Sequence, residues 1–138
     1  MEQVQVTWVQ NEQFVATDST KHSVVLSTGQ DGTGCKPSDL LTMAIGACTA
    51  VDIVSILRKK RQQFTGLQIN ITGEQEADPP WTFRKIHIEY VVRGKGLSEK
   101  AVEQAIELAE SKYCSVSATV RGVAAVTTSY QIVEDQNV

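Results

Sequence analysis

The fold is decided by one stretch of the chain, Lys36-Pro37-Ser38-Asp39-Leu40-Leu41-Thr42-Met43-Ala44-Ile45-Gly46-Ala47-Cys48-Thr49-Ala50-Val51-Asp52-Ile53-Val54-Ser55-Ile56-Leu57. Its apolar residues surround a helical projection almost completely, which predicts one long helix packed on more than one side. Pro37 suits the first turn because it has no N–H to leave unpaired, and Ser38 and Asp39 add oxygen acceptors there. Basic residues at 58–61 follow at the other end, where the helix dipole favours positive charge. A single thiol, Cys48, lies in the middle of this stretch.

Length and composition predict one globular domain over residues 1–138. The chain has 138 residues, of which 41% are hydrophobic and 21% charged. The net charge of −3 creates no field that would attract nucleic acid or an anionic membrane. The first residues lack the features of a secretory signal, and Asp39 and Asp52 interrupt the apolar stretch, so we expect no transmembrane helix. Three cysteines without a signal favour a reducing, cytoplasmic location.

Alternating apolar and polar residues predict the strands of an α+β fold. These strands fall at about 4–8, 14–17, 22–27, 67–72, 85–92, 116–120 and 126–132. Ser98 suits the N-cap of a second helix over about 99–112, whose glutamates, Glu110 among them, form a solvated face. The predicted order is β-β-β-α-β-β-α-β-β, with antiparallel sheets packed on the long central helix. Because one small sheet cannot cover every side of that helix, we expect a second subunit.

Cys48 and Cys114 are the residues with the clearest chemical potential. A thiolate attacks peroxides and disulfides, and a second thiol nearby can convert the resulting sulfenic acid into a disulfide. The two cysteines are far apart in the sequence, so only the fold can bring them together. Periodicity alone favours the simpler interpretation, in which both are unrelated core cysteines.

Other kinds of site have little support in the sequence. There is no Cys-x-x-Cys pair and no histidine spaced with cysteine or carboxylate on a helix face, so we expect no metal. Glycines at 29, 32 and 34 lack the residues that follow in a phosphate-binding loop, and no serine occupies a nucleophile elbow. His22 begins a strand near the loop that enters the helix, where a solvated histidine is the simpler interpretation.

The two cysteine segments together resemble a known family, the OsmC/Ohr proteins (osmotically inducible and organic hydroperoxide resistance proteins). Pro37-Ser38-Asp39-Leu40-Leu41 with Gly46-Ala47-Cys48 resembles the first motif of the family, and Lys112-Tyr113-Cys114-Ser115-Val116-Ser117 resembles the second. The spacing from Pro37 to Cys48 and the position of Cys114 after a helix both match. The order of elements is similar over nearly the whole chain.

This resemblance implies an intertwined homodimer in which the two central helices are buried together and the active sites lie near the subunit interface. It implies that Cys48 is the peroxidatic thiol, which attacks a small-molecule peroxide, and that Cys114 resolves the sulfenic acid as an intramolecular disulfide. An external dithiol, such as a lipoyl group, would reduce that disulfide. No metal or bound cofactor is implied.

The sequence departs from the family pattern around the thiol. Organic hydroperoxide reductases of this family carry a glutamate directly after the motif proline and an arginine in the early strand region, which lower the thiol pKa and orient the peroxide. Here Ser38 follows the proline, with an acid only at Asp39, and no arginine precedes the central helix. Lys21 and His22 are the nearest cations in that region, and neither reproduces a planar bidentate arginine. The chain therefore resembles a less characterised branch that keeps both cysteines without the activating pair.

Two functions follow as hypotheses. The first is a thiol-dependent peroxidase of low efficiency in the oxidative stress response, which uses Cys48 and Cys114. The second is a non-enzymatic dimer that binds a small apolar or thiol-bearing ligand in an interface pocket, as the missing activating residues and the apolar helix suggest. Cys35 lies outside the family pattern, and we expect it to be an exposed loop thiol. The residues that could support the thiolate are Ser38, Asp39, Lys21 and His22.

Overall fold

The computed structural model describes residues 2–136. Strands and helices follow one another along the chain as β1 (Gln5–Gln10), β2 (Gln13–Thr17), β3 (Ser23–Ser27), α1 (Pro37–Lys59), β4 (Gln63–Gln75), β5 (Phe83–Lys95), α2 (Glu99–Leu108), a π-helical turn (Ala109–Tyr113), α3 (Ser115–Val120) and β6 (Ala125–Glu134). They form two compact units, Met1–Leu41 and Thr42–Val138, whose boundary lies near the start of α1.

The first unit contains a three-stranded antiparallel sheet in the order β1-β2-β3. The alternation that predicted a half-buried first strand locates β1 correctly, yet Val4, Val6 and Trp8 are exposed. Cys35 differs from the expected exposed loop thiol, because it is half-buried beside β3. Its backbone N–H donates to the Val25 carbonyl at 2.9 Å, so the loop is held against the strand before α1 begins.

The second unit contains a three-stranded sheet in the order β4-β5-β6. Strands β4 and β5 pair in antiparallel fashion, as expected, but both extend beyond the predicted 67–72 and 85–92. Strand β6, however, pairs with β5 in parallel, so the prediction of antiparallel sheets is wrong for this pair. The physical reason is the connection between them, since α2, the π-helical turn and α3 carry the chain back to the end of the sheet where β5 began.

One face of α1 packs on this sheet. The buried residues Ile45, Thr49, Ile53 and Leu57 recur at intervals of one helical turn. They join a core supplied mainly by β5 and α2, which includes Ile86, Ile88, Tyr90, Val92, Val102 and Ala105. The opposite stripe of α1, Met43, Ala47 and Val51, is exposed. We expected α1 to be packed on more than one side. Within the single chain, only one side of α1 is buried.

The length and composition of α1 would allow it to cross a membrane. Its most apolar window has a mean hydropathy of 2.1 over a helix of 23 residues. A core helix meets the same criterion, and α1 contributes three of its residues to the buried core. The prediction that no segment spans a membrane is thus compatible with how α1 packs, and it stays a prediction.

Residues 116–120 form helix α3, so the short strand predicted there is wrong. Val116 and Val120 both pack against the core, and their spacing of four suits one face of a helix as well as alternate positions of a strand. Helix α2 begins as expected, with the Ser98 hydroxyl accepting a hydrogen bond from the Ala101 N–H at 3.2 Å. It ends at Leu108 and continues as a π-helical turn.

The close pairing of β4 and β5 depends on Gly94. A Cβ at this position would lie 2.3 Å from the Gln63 carbonyl oxygen and 2.8 Å from the Phe64 Cα. These backbone atoms belong to the paired strand and cannot move without disturbing the ladder. Gly94→Ala should therefore lower the free energy of unfolding by about 1–3 kcal/mol in chemical denaturation.

Gly66→Ala is the matched control for this prediction, because a Cβ at Gly66 would meet only the Arg93 Cβ, at an ordinary 3.6 Å. Equal free energies of unfolding for the two variants would contradict the steric argument.

Candidate functional site

The fold brings Cys48 and Cys114 together. Cys48 is half-buried in α1, and Cys114 lies between the π-helical turn and α3 with only 3% of its surface exposed. Their side chains lie close enough for Cys48 to raise the pKa of the Cys114 thiol. Both thiols are free in the structure. The fold thus brings two thiols from distant segments near each other, as a reversible disulfide requires.

Gly46 allows α1 to lie close to β4 two residues before Cys48. A Cβ at Gly46 would lie 2.5 Å from the Ile71 Cδ1 atom. The absence of a side chain thus sets how near this part of α1 sits to the sheet. Gly46, in the motif Gly46-Ala47-Cys48, therefore has a packing role, whereas Cys48 supplies the thiol.

The environment of Cys114 favours its protonated form. Burial first, and then the hydrogen bond with Cys48, raise the pKa of the Cys114 thiol to about 11. The Ser117 N–H donates a hydrogen bond to the Cys114 sulfur at 3.2 Å and acts in the opposite direction. At neutral pH Cys114 therefore retains its proton.

Tyr90 extends the site from the sheet. It is fully buried, and its hydroxyl donates a hydrogen bond to the Glu110 Oε1 atom at 2.6 Å. Thr49, the neighbour of Cys48 on α1, lies close enough to the hydroxyl to lower its pKa slightly. Burial, followed by the bond to Glu110 and with a smaller effect of the Cys114 charge, raises the Tyr90 pKa, so the phenol stays protonated.

A carboxylate–arginine pair, Glu110 and Arg121, is linked to Cys114 through Ser117. The Arg121 Nη2 atom is 3.6 Å from the Glu110 Oε2 atom. The Arg121 Nε–H also donates a hydrogen bond to the hydroxyl of Ser117 at 3.3 Å. Ser117 is buried and bonds to Cys114 through its own N–H. One serine therefore joins the guanidinium to the thiol.

Sequence reasoning missed Glu110 and Arg121 as members of the site. Glu110 was expected on the solvated face of the second helix, but its side chain is only 11% exposed. The π-helical turn explains the difference, because the Cys114 N–H bonds to the Ala109 carbonyl five residues back and the wider turn changes which way each residue faces. The available signal was the presence of an acid and an arginine on either side of the second cysteine, within two helical turns of it.

The four residues predicted to support the thiolate lie in the Met1–Leu41 unit, whereas both thiols lie in the Thr42–Val138 unit. Ser38 and Asp39 occupy the first turn of α1, as expected. Lys21 has a positive φ of 72° in the turn before β3. His22 is exposed, and its Nδ1 atom lies 2.8 Å from the Thr20 hydroxyl. Their proposed role toward Cys48 stays a prediction.

An apolar groove runs between α1 and β4. It has a volume of about 380 Å³ and is lined by Thr42, Met43, Gly46, Ala47, Ala50, Leu67, Ile69 and Ile71. Within residues 2–136, no group of three or more histidine, cysteine, aspartate or glutamate side chains is arranged to hold a metal ion. The chemistry-bearing groups that the structure does gather are the two thiols and the polar network around Cys114.

Comparison with known proteins identifies the family. The OsmC family model, which describes an OsmC-like protein, matches residues 29–129, a stretch that includes both thiols. The chain belongs to the OsmC family. Protein YhfA of Escherichia coli K12 is 31% identical over 131 residues, covering 95% of this chain and 98% of its own. The predicted family is thereby confirmed.

Solved structures confirm the α+β OsmC-like fold. A hypothetical protein from Aquifex aeolicus VF5 superposes with a TM-score of 0.88 at 29% identity, over 99% of this chain and 98% of that chain. The organic hydroperoxide resistance protein OhrB of Bacillus subtilis superposes with a TM-score of 0.61 at 16% identity, over 94% of this chain and 98% of that chain. At the latter identity the likeness shows the OsmC fold alone.

The burial and raised pKa of Cys114 predict slow alkylation. At pH 7.5 its thiolate fraction should be on the order of a hundredfold below that of a free thiol, and should rise about tenfold per pH unit toward pH 10. Iodoacetamide labelling with peptide mapping by mass spectrometry measures this rate. The same protein unfolded in urea is the control. Labelling of folded Cys114 as fast as in urea would contradict the geometry described above.

Proposed function

We propose that this OsmC-family protein is a cysteine-based hydroperoxide reductase in which Cys48 is the peroxidatic thiol and Cys114 the resolving thiol. The observation that carries the proposal is the proximity of the two thiols, which is close enough for Cys48 to raise the pKa of Cys114. A disulfide needs its sulfur atoms about 2.0 Å apart, and thiols that are already near each other need less movement to reach that distance.

The assignment of roles rests on accessibility and protonation. Cys48 is half-buried, so a peroxide reaches it more readily than Cys114, which is 3% exposed. Cys114 keeps its proton at neutral pH because its pKa is raised to about 11. A thiol that keeps its proton is a poor nucleophile. Both observations support Cys48 as the nucleophile.

The proposed cycle has three balanced steps. The Cys48 thiolate attacks one peroxide oxygen, so that an S–O bond forms, the O–O bond breaks and the leaving alkoxide takes a proton to become an alcohol. Cys114 then attacks the Cys48 sulfenic acid, forming the S–S bond, and the hydroxyl leaves with a proton as water. An external dithiol of the lipoyl type returns both cysteines to thiols and is itself oxidised to a disulfide.

We place this activity in the cytoplasm, as part of the oxidative stress response, since a reducing compartment supplies the dithiol. We also propose that turnover is slow. Ser38 stands where the peroxidases of the family have a glutamate, and no arginine precedes α1. Without that pair the first oxidation of Cys48 has less electrostatic help, so the efficiency is below that of the organic hydroperoxide reductases.

Cysteine variants test the cycle directly, with cumene hydroperoxide as oxidant and dihydrolipoamide as reductant. Cys48→Ser should reduce peroxide consumption to the rate without protein, because it removes the nucleophile. Cys114→Ser should permit one oxidation per subunit, after which Cys48 stays as sulfenic acid or gains further oxygen. Intact mass under non-reducing conditions, with peptide mapping, should show loss of two hydrogens at Cys48–Cys114 in the unmodified protein.

Cys35→Ser is the matched control, since Cys35 belongs to neither family motif, and this variant should keep the wild-type rate. Equal peroxide consumption by the wild type and Cys48→Ser would end the assignment of a peroxidase.

We propose that the protein acts as a homodimer. In the single chain, Val51 on α1 is 69% exposed and Met43 lies on the same exposed stripe. Val4, just before β1, and Val6 and Trp8 on β1 are exposed as well. An apolar helix face and an apolar strand left in water are typical of surfaces that a second subunit covers.

Val51→Asp places a charge on the exposed stripe of α1 and should shift the protein from dimer toward monomer. Size-exclusion chromatography with light scattering measures the mass. Gln131→Asp is the control, because it adds the same charge at an exposed polar position of β6. A monomeric wild type, or a Val51→Asp variant as dimeric as the control, would contradict the proposed interface.

A second candidate function is a non-enzymatic binding protein. The groove between α1 and β4, with its apolar lining, supports this alternative because it has room for a small apolar ligand. The two candidates separate in the oxidation experiment. Slow, scattered oxidation that includes Cys35 and does not join Cys48 to Cys114 would favour the binding protein.

A further inference from the structure

We propose that Arg121, Glu110 and Ser117 form a positioning unit that holds Cys114 against Cys48 and so promotes closure of their disulfide. The unit supplies, next to the resolving thiol, an arginine–carboxylate pair of the kind that this chain lacks before α1. This inference rests on the proposed Cys48–Cys114 cycle and concerns its second step, in which Cys114 attacks the sulfenic acid and water leaves.

The hydrogen bonds connect the guanidinium to the thiol through one residue. Arg121 Nε–H donates to the Ser117 hydroxyl at 3.3 Å, and the Ser117 N–H donates to the Cys114 sulfur at 3.2 Å. The Ser117 N–H lies in the first turn of α3, for which Cys114 is the N-cap. Arg121 adds a second contact to the buried Ser117, through its hydroxyl, and so supports the turn that carries this N–H.

Glu110 anchors the arginine from the other side. Its carboxylate accepts a hydrogen bond from the buried Tyr90 hydroxyl at 2.6 Å and lies 3.6 Å from the Arg121 guanidinium. A carboxylate that is only 11% exposed is costly unless it is paired and hydrogen-bonded, and these two partners meet that requirement. The anchor thus runs from the sheet, through Glu110 and Arg121, to the start of α3.

A second ion pair in the Thr42–Val138 part of the chain, between Arg84 and Glu76, provides a comparison. Arg84 Nε lies 2.6 Å from the Glu76 Oε1 atom, but the two side chains are 51% and 42% exposed. Exposed pairs of this kind contribute little to structure because water screens them. Arg121 is itself 42% exposed, but its partner Glu110 is only 11% exposed, and Arg121 also contacts Ser117, which bonds to Cys114. These two features distinguish the Arg121 pair from the Arg84 pair.

The charged and titratable groups identified around Cys114 come from four parts of the chain. They are Cys48 on α1, Tyr90 on β5, Glu110 in the π-helical turn and Arg121 after α3. Tyr90 stays protonated and Glu110 is paired with Arg121, so their charges balance near the thiol. The unit therefore acts through position more than through net charge.

The reduction potential of the Cys48–Cys114 disulfide tests the proposal without any peroxide. The proteins, all in a Cys35→Ser background, are equilibrated in dithiothreitol redox buffers, and the disulfide fraction is read by alkylation and peptide mapping. Arg121→Met should lower the equilibrium constant for disulfide formation by about tenfold, since the thiols are no longer held together. That change makes the potential about 30 mV less negative.

Further variants separate positioning from general loss of stability. Ser117→Ala removes only the hydroxyl that Arg121 contacts and should shift the potential in the same direction, whereas Arg121→Lys should restore part of the wild-type value. Arg84→Met removes the exposed pair and should leave the potential unchanged. Chemical denaturation of the reduced proteins should show similar unfolding free energies for Arg121→Met and Arg84→Met.

Each outcome decides the proposal. Potentials for Arg121→Met and Ser117→Ala equal to the wild type would overturn it, and so would an equal shift in Arg84→Met. A wild type that forms no Cys48–Cys114 disulfide in any buffer would overturn both this inference and the peroxidase. A network-dependent disulfide in a protein that consumes no peroxide would uphold the positioning unit and reject the proposed function.

Discussion

The packing of one face of α1 on the β4–β5 sheet is the constraint on which the candidate site depends. Ile45, Ile53 and Leu57 bury one stripe of the helix, and Gly46 allows a close approach to Ile71. Cys48 lies beside this stripe and is near enough to Cys114 to raise the pKa of that thiol. Because a closely packed interior transmits small displacements, a shift of α1 on the sheet would change the distance between the two thiols.

Burial has two opposing effects on the chemistry of the dithiol. It raises the pKa of Cys114 and so reduces the fraction of the reactive thiolate at neutral pH. It also excludes water and competing reagents from the resolving sulfur, so that the neighbouring Cys48 is the natural target of its attack. The hydrogen bond from the Ser117 N–H offsets part of the first effect without exposing the thiol.

Much of the fold follows from sequence patterns that fit only one period. The apolar pattern located the helix over 37–59, and alternation located β1 to β5, although β4 and β5 extend beyond the predicted 67–72 and 85–92. Segment 109–121 was misassigned because its pattern fits more than one local structure. Val116 and Val120 fit either period, and a π-helical turn redirects Glu110 without any signal in local composition. The parallel pairing of β6 depends on how the connection crosses the sheet, which periodicity does not encode.

The residues of the candidate site also fall into two groups, those that the sequence identified and those that it missed. The pairing of Cys48 with Cys114 was available from the two family motifs, whereas Glu110 and Arg121 belong to the segment whose local structure was misassigned. Their hydrogen bonds affect the relative rates of the first and second steps of the proposed cycle. The first oxidation, at Cys48, proceeds without the family's activating pair, while the second step has its resolving thiol held in place by Ser117 and Arg121. When a slow oxidation precedes a fast closure, the sulfenic acid does not accumulate. Further oxidation to sulfinic acid requires a second peroxide to reach that intermediate. A protein arranged in this way would turn over slowly but would resist over-oxidation of Cys48.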